Sequence, residues 1–103
     1  MSQSEAKEIA LKFANFLKKK GFPLSSLYLF GSHAKGTQHK YSDIDIAVVS
    51  NLKRYTEKRL DSLWHLRHEV DDRIEPHYFL AHDFQDDYPP LAHEVKLTGI
   101  KIV

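Results

Sequence analysis

The stretch LFGSHAKGTQHKYSDIDIAVVS, residues 29–50, decides how this chain folds and what it can do. The apolar run Leu27-Tyr28-Leu29-Phe30 stops at Gly31-Ser32, and a small basic segment with His33, Lys35, His39 and Lys40 follows. Asp43 and Asp45 then alternate with Ile44 and Ile46 and lead into Ala47-Val48-Val49. Residues two apart on a strand share a face, so both carboxylates stand side by side while Ile44, Ile46 and Val48 enter a core. Adjacent carboxylates repel and raise one another's pKa unless a cation sits between them. Magnesium suits that place, because it takes oxygen ligands, typically one or two carboxylates plus substrate phosphates. Taken alone, such a pair is more often a solvated strand start.

Gly31-Ser32 changes the weighing. A strand that ends at Gly-Ser and turns into a short helix offers backbone N–H groups and a hydroxyl to an anion. Gly31 lets the backbone approach a phosphate with no Cβ in the way. Lys35 and Gly36 close the turn, and Lys35 adds positive charge. An anion cradle joined to metal-binding carboxylates by a short loop suggests nucleoside triphosphate chemistry.

Gly31-Ser32-x-Ala34-Lys35-Gly36 followed by Ser42-Asp43-x-Asp45-Ile46 resembles the signature of the DNA polymerase beta-like nucleotidyltransferases, GS-x-A-[RK]-G…SD-x-D-[LI]. The spacing is most similar to the minimal nucleotidyltransferases, short single-domain members paired with HEPN-domain proteins in prokaryotic toxin–antitoxin modules. The resemblance runs over nearly the whole chain. It implies an α/β (α+β) fold with a small, mixed, twisted sheet flanked by helices. It also implies transfer of AMP from ATP to a hydroxyl with release of pyrophosphate. Asp43 and Asp45 would hold two magnesium ions, Gly31 and Ser32 the β- and γ-phosphates, and Lys35 would assist them. A third acid belongs on the strand after the second long helix, where Glu75 is the matching position. Members more often carry Asp there, and Glu is one methylene longer. Asp71 and Asp72 compete for the role but fall in the turn before the strand. His77 shares the face of Glu75, with contact to substrate and a structural role both open. The implied acceptor is a tyrosine hydroxyl on a partner HEPN toxin, so that the chain acts as an antitoxin in a hetero-oligomer. Two alternatives stand beside this: an antitoxin that neutralises by binding alone, and a transferase acting on a small molecule.

Composition narrows the classes. A chain of 103 residues, 42% apolar and 28% charged, reads as one soluble domain; the resemblance implies that this domain, residues 1–103, is a nucleotidyltransferase. A formal net charge of +1 argues against a general polyanion-binding surface, so no direct nucleic-acid contact is expected. Without cysteine there is neither a disulfide framework nor a thiolate metal site. The histidines lack a zinc-type spacing and read as surface or structural residues. No apolar run approaches a membrane span and the charged N-terminus is no signal peptide, so the expected location is cytoplasmic.

Outward from the centre, Ser2 and Glu5 have capping-box spacing. Ala6, Ile9, Ala10, Phe13, Phe16 and Leu17 then predict a helix to about Lys20, stopped by Gly21 and Pro23. Leu24–Phe30 is the first strand and Asp43–Ser50 the second; the link between them, running through a polar loop to Tyr41, is too short for a crossover helix and favours antiparallel pairing. A helix is expected over residues 56–69, with Leu60, Leu63, Trp64 and Leu66 or Arg67 inward and Trp64 as core anchor. Arg73–Leu80 is the third strand, which Pro76 puts at an edge or leaves with one face of its ladder interrupted. A turn follows at His82–Gln85, then a helix opened by Pro89-Pro90 that packs through Leu91, Val95 and Leu97, closed by Gly99. Ile100–Val103 is expected to add a terminal strand. Tyr78, Phe79, Phe84, Tyr88 and Leu91 are candidate partner contacts, with core packing as the rival reading.

Overall fold

The computed structural model describes residues 1–39 and 42–103; Lys40 and Tyr41, which the sequence reading placed in the basic segment and at the end of the polar loop, lie outside the described residues. Helix α1 (Gln3–Lys19) starts at the capping box: the Glu5 N–H donates to Ser2 Oγ at 3.1 Å, and the Ser2 N–H donates back to Glu5 Oε1 at 3.4 Å. Its inward stripe is Ala6, Ala10, Phe13, Ala14 and Leu17, all fully buried.

Strand β1 (Leu24–Phe30) pairs antiparallel with β2 (Ile44–Ser50), as the short connection requires. Between them lies the single-turn helix α2 (Ser32–Lys35). Helix α3 (Glu57–Leu66), capped by the Thr56 side chain and continued by a 3-10 turn to Glu69, carries the chain over to β3 (Ile74–Leu80). That crossover is long enough for β3 to run parallel to β2. The two-residue strand β4 (Ile100–Lys101) pairs antiparallel with β1. The order β3-β2-β1-β4 makes a mixed four-stranded sheet flanked by helices, with Pro76 on an outer strand where a missing N–H is tolerated.

Period-two alternation sorts the strands into two cores. Leu27, Leu29, Ile44, Ile46, Val48, Ile74 and Tyr78 face α1 and α3. Phe30, Ala47, Val49 and Phe79 face α4 (Ala81–Gln85) and α5 (Pro90–Thr98), which bring Phe84, Ala92 and Val95. Asp45, Glu75 and His77 belong to the alternating set of this second face. The functional side chains therefore stand at the margin of the smaller core.

Several expectations are corrected. Trp64 is 38% exposed with the Arg67 guanidinium 4.7 Å from its ring, whereas Leu63 is fully buried and anchors α3. Leu60, Leu63 and Leu66 follow one helical stripe, and Trp64 falls about 100° round from Leu63. Leu97 is 69% exposed because the inward positions of α5 are Ala92 and Val95. The expected turn at His82–Gln85 is helical, with Phe84 driven into the second core. Tyr78, Phe79 and Phe84 are core residues; of the proposed contacts only Tyr88 is widely exposed, and Leu91 is half-buried.

Candidate active site

At the end of β1, Gly31 takes φ 75° and ψ −151°, a conformation that L side chains avoid. A Cβ built there would collide with Asp45 Oδ2 and lie 3.2 Å from Asp45 Cγ, so the absence of a side chain lets the turn sit against the carboxylate. The N–H groups of Ala34 and Lys35 both donate to Gly31 O, and Gly36, at φ 75°, ends α2. Gln3, from the start of α1, donates through Nε2 to His33 O at 3.0 Å and Ala34 O at 3.2 Å, which pins the far end of α2. His33 is 1% exposed beneath this turn, its Nε2 3.5 Å from Ser42 O. Ser42 in turn accepts the His39 N–H at Oγ, at 2.9 Å, and donates its own N–H to His39 O. These contacts fasten the beginning of the Ser42-Asp43-x-Asp45 segment to α2.

The parallel register sets Asp45 directly opposite Glu75 and Ala47 opposite His77. Asp45, Glu75 and His77 bring a ligand atom each to within 4.8 Å of one another, the grouping of metal-ligating side chains found among the described residues. His77 Nε2 stands 3.4 Å from Asp45 Oδ1 and 3.6 Å from Glu75 Oε1. Its ring packs edge-on against Phe30, with centroids 5.0 Å apart. Asp43 lies just before β2, exposed, and within hydrogen-bonding reach of Glu75. Burial pushes the Glu75 carboxyl above its ordinary range; Asp45 and Asp43 add to the rise and His77 opposes it.

The sequence-predicted residues are therefore brought together at one end of the sheet, apart from Lys35. That side chain is exposed and ion-paired with Glu94 of α5 at 2.9 Å. Asp71 is held by Arg73, whose guanidinium and backbone N–H both donate to it, and Asp72 meets His68 Nδ1 at 2.6 Å. Both remain in the turn before β3, which leaves Glu75 opposite Asp45. Neither the role of Gln3 nor the burial of His33 is legible in the sequence, since both depend on the docking of α1 and the loop onto α2. Buried His33 fits the structural reading of the histidines, and His77, whose role the sequence left open, stands with Asp45 and Glu75. For His77 the i+2 spacing from Glu75 was the available signal.

The donor set suits a divalent cation. Asp45 and Glu75 converge with His77, Asp43 reaches Glu75, and the buried Nε2 of His77 has no hydrogen-bond partner. Oxygen donors in that number fit magnesium, with open positions for phosphate oxygens.

Comparison with known proteins agrees with this geometry. The family model described as nucleotidyltransferase domain matches residues 10–94. Over 27 residues, 26% of the chain, the sequence is 63% identical to protein adenylyltransferase MntA of Shewanella oneidensis, the match covering 19% of that protein. Over 52 residues, half of the chain, it is 46% identical to MJ1379 of Methanocaldococcus jannaschii, provisionally named a protein adenylyltransferase, and covers 51% of it. The matches thus span about half or less of these curated relatives. A crystal structure of a toxin–antitoxin with AMP-PNP superposes with a TM-score of 0.67 at 27% identity, over 89% of this chain and 70% of that chain. No helix among the described residues is long and apolar enough to cross a membrane.

Proposed function

Because the chain belongs to the nucleotidyltransferase domain family, we propose that it transfers AMP from ATP to a hydroxyl of a partner toxin and so acts as an antitoxin. The observation that carries this reading is the register that sets Asp45 opposite Glu75, with Gly31 pressed against Asp45. The resemblance to minimal nucleotidyltransferases, borne out by the adenylyltransferase relatives, supports a protein as acceptor. The AMP-PNP in the toxin–antitoxin neighbour supports an adenine nucleotide as donor. The resemblance further points to a HEPN-domain toxin and a tyrosine hydroxyl.

In this reading Asp43, Asp45 and Glu75 hold magnesium, which neutralises the charge of the triphosphate. The Gly31–Ser32 turn supplies backbone N–H groups and a hydroxyl to the β- and γ-phosphates. The acceptor oxygen attacks the α-phosphorus, the bond to the β-phosphate oxygen breaks, and pyrophosphate leaves. Glu75 takes the acceptor proton, as a positioned carboxylate can for a hydroxyl within its reach. Catalysis is otherwise positioning and charge neutralisation.

The test is incubation with α-labelled ATP, magnesium and the toxin encoded beside it. The expected result is label on the toxin, lost when its acceptor tyrosine is changed to Phe. A toxin that is neutralised but carries no label replaces this reading with antitoxin action by binding alone.

A further inference from the structure

Magnesium prefers oxygen, yet the member of this cluster that lies between the two carboxylates is a nitrogen. His77 Nε2 is buried, has no hydrogen-bond partner, and sits 3.4 Å from Asp45 Oδ1 and 3.6 Å from Glu75 Oε1. Neither distance is a proper hydrogen bond. The ring is held there by the fold: Phe30 packs edge-on against it, and the residue directly opposite on β2 is Ala47, whose single methyl leaves the imidazole room. A histidine placed only for packing would leave this buried nitrogen with no hydrogen bond, which is unfavourable.

We propose that His77 is a metal ligand, so that Asp45, Glu75 and His77 form a mixed nitrogen–oxygen site favouring manganese or cobalt over magnesium. Imidazole suits first-row transition ions, whereas carboxylate and water suffice for magnesium. A site of two carboxylates and one imidazole binds the former with an added ligand and gives magnesium little more than its oxygens. The inference rests on the site being a divalent-metal site, but not on the identity of nucleotide or acceptor.

The test is metal binding by the nucleotide-free protein, followed by calorimetry for Mg²⁺ and Mn²⁺ and by the visible absorption of bound Co²⁺. Wild type, His77→Gln, His77→Ala and Asp45→Asn are compared, each checked by thermal melt. Wild type is expected to favour Mn²⁺ over Mg²⁺. In His77→Gln and His77→Ala that preference should fall about tenfold or more, the scale on which ligand-shell changes act. The Co²⁺ band should change, and Mg²⁺ affinity should fall by less than Mn²⁺ affinity does. Asp45→Asn should weaken all three ions. An unchanged Mn²⁺ to Mg²⁺ ratio in both His77 variants, with Asp45→Asn still losing metal, overturns the role of His77 and leaves the carboxylate site standing. Failure of wild type to bind any of the ions overturns both this inference and the metal-dependent reading of the site.

Discussion

Gly31 and Asp45 are in contact across the end of the sheet, and only the lack of a side chain at Gly31 makes that contact possible. The positive φ of Gly31 and the seat of the Asp45 carboxylate are thus one feature of the structure. Gly31→Ala meets two penalties at once: a left-handed conformation for an L residue, and a methyl pushed into Asp45. The strain is expected to lower stability by about 1–3 kcal/mol. Because the relief comes by moving Asp45, metal-dependent nucleotide binding should weaken by more than the stability loss explains. Thermal melts and Mg²⁺-ATP titrations on the same variant measure the two effects; unchanged binding would separate Gly31 from the site.

Asp43→Asn with Asp45→Asn removes two of the three acids without changing shape. The metal-free fold should keep or slightly gain stability, since like charges no longer crowd Glu75. Magnesium-dependent ATP binding should disappear. Equal ATP affinity in wild type and double variant, measured by calorimetry, would remove the metal-binding role from this pair.

Glu75 makes a pH-dependent prediction. Its folded pKa is raised, first by burial and then by Asp45. The folded state therefore binds this proton more tightly than the unfolded chain does. The resulting stabilisation is full below the unfolded value of about 4.5 and is lost as pH rises through the folded pKa. In chelator, Glu75→Gln should abolish that part of the pH dependence and leave the fold at least as stable as wild type near neutrality. In the transfer assay the same variant should fall by about two to four orders of magnitude, the scale of a lost general base. Glu75→Asp should retain transfer. Denaturant titrations at several pH values and single-turnover rates check both halves.

How much of this could be read from the sequence follows the range of the signal. Period-two alternation placed Ile44, Ile46 and Val48 in the core and the aspartates on the other face, and a short connection set the antiparallel pairing of β1 and β2. Pro76 left β3 either an edge place or an interrupted ladder, and the structure gives it the edge. Glu75 was reachable only through the resemblance, because its pairing with Asp45 comes from a parallel register separated by all of α3. Helix α4 spans five residues, too few to show a helical period, and so read as a turn. Trp64 misled because size suggested an anchor, while the stripe through Leu60, Leu63 and Leu66 had the geometry. The contrast is measurable: Leu63→Ala is expected to cost about 2–5 kcal/mol. Trp64→Ala should cost under about 1 kcal/mol, as befits an exposed ring in a cation–π contact. Equal losses in denaturant unfolding would restore Trp64 to the core.

Lys35 and Glu94 decide the last question, whether α2 contributes a charge to the nucleotide. The pair spans 2.9 Å between α2 and α5, with both side chains nearly half exposed. Such a surface pair contributes about 0–1 kcal/mol, so little holds Lys35 away from an arriving triphosphate. If Lys35 turns to the phosphates, Lys35→Ala should raise the Kd for ATP several-fold, and more steeply at low salt, where charge is less screened. Glu94→Gln, which frees Lys35, should leave ATP binding unchanged or tighten it slightly. If the pair instead serves only to tie α5 to α2, both substitutions should lower the melting temperature by the same small amount and neither should alter ATP binding. Nucleotide titrations of the two variants at two salt concentrations separate these outcomes, and matching ATP affinities in Lys35→Ala and wild type would exclude Lys35 from the phosphate site.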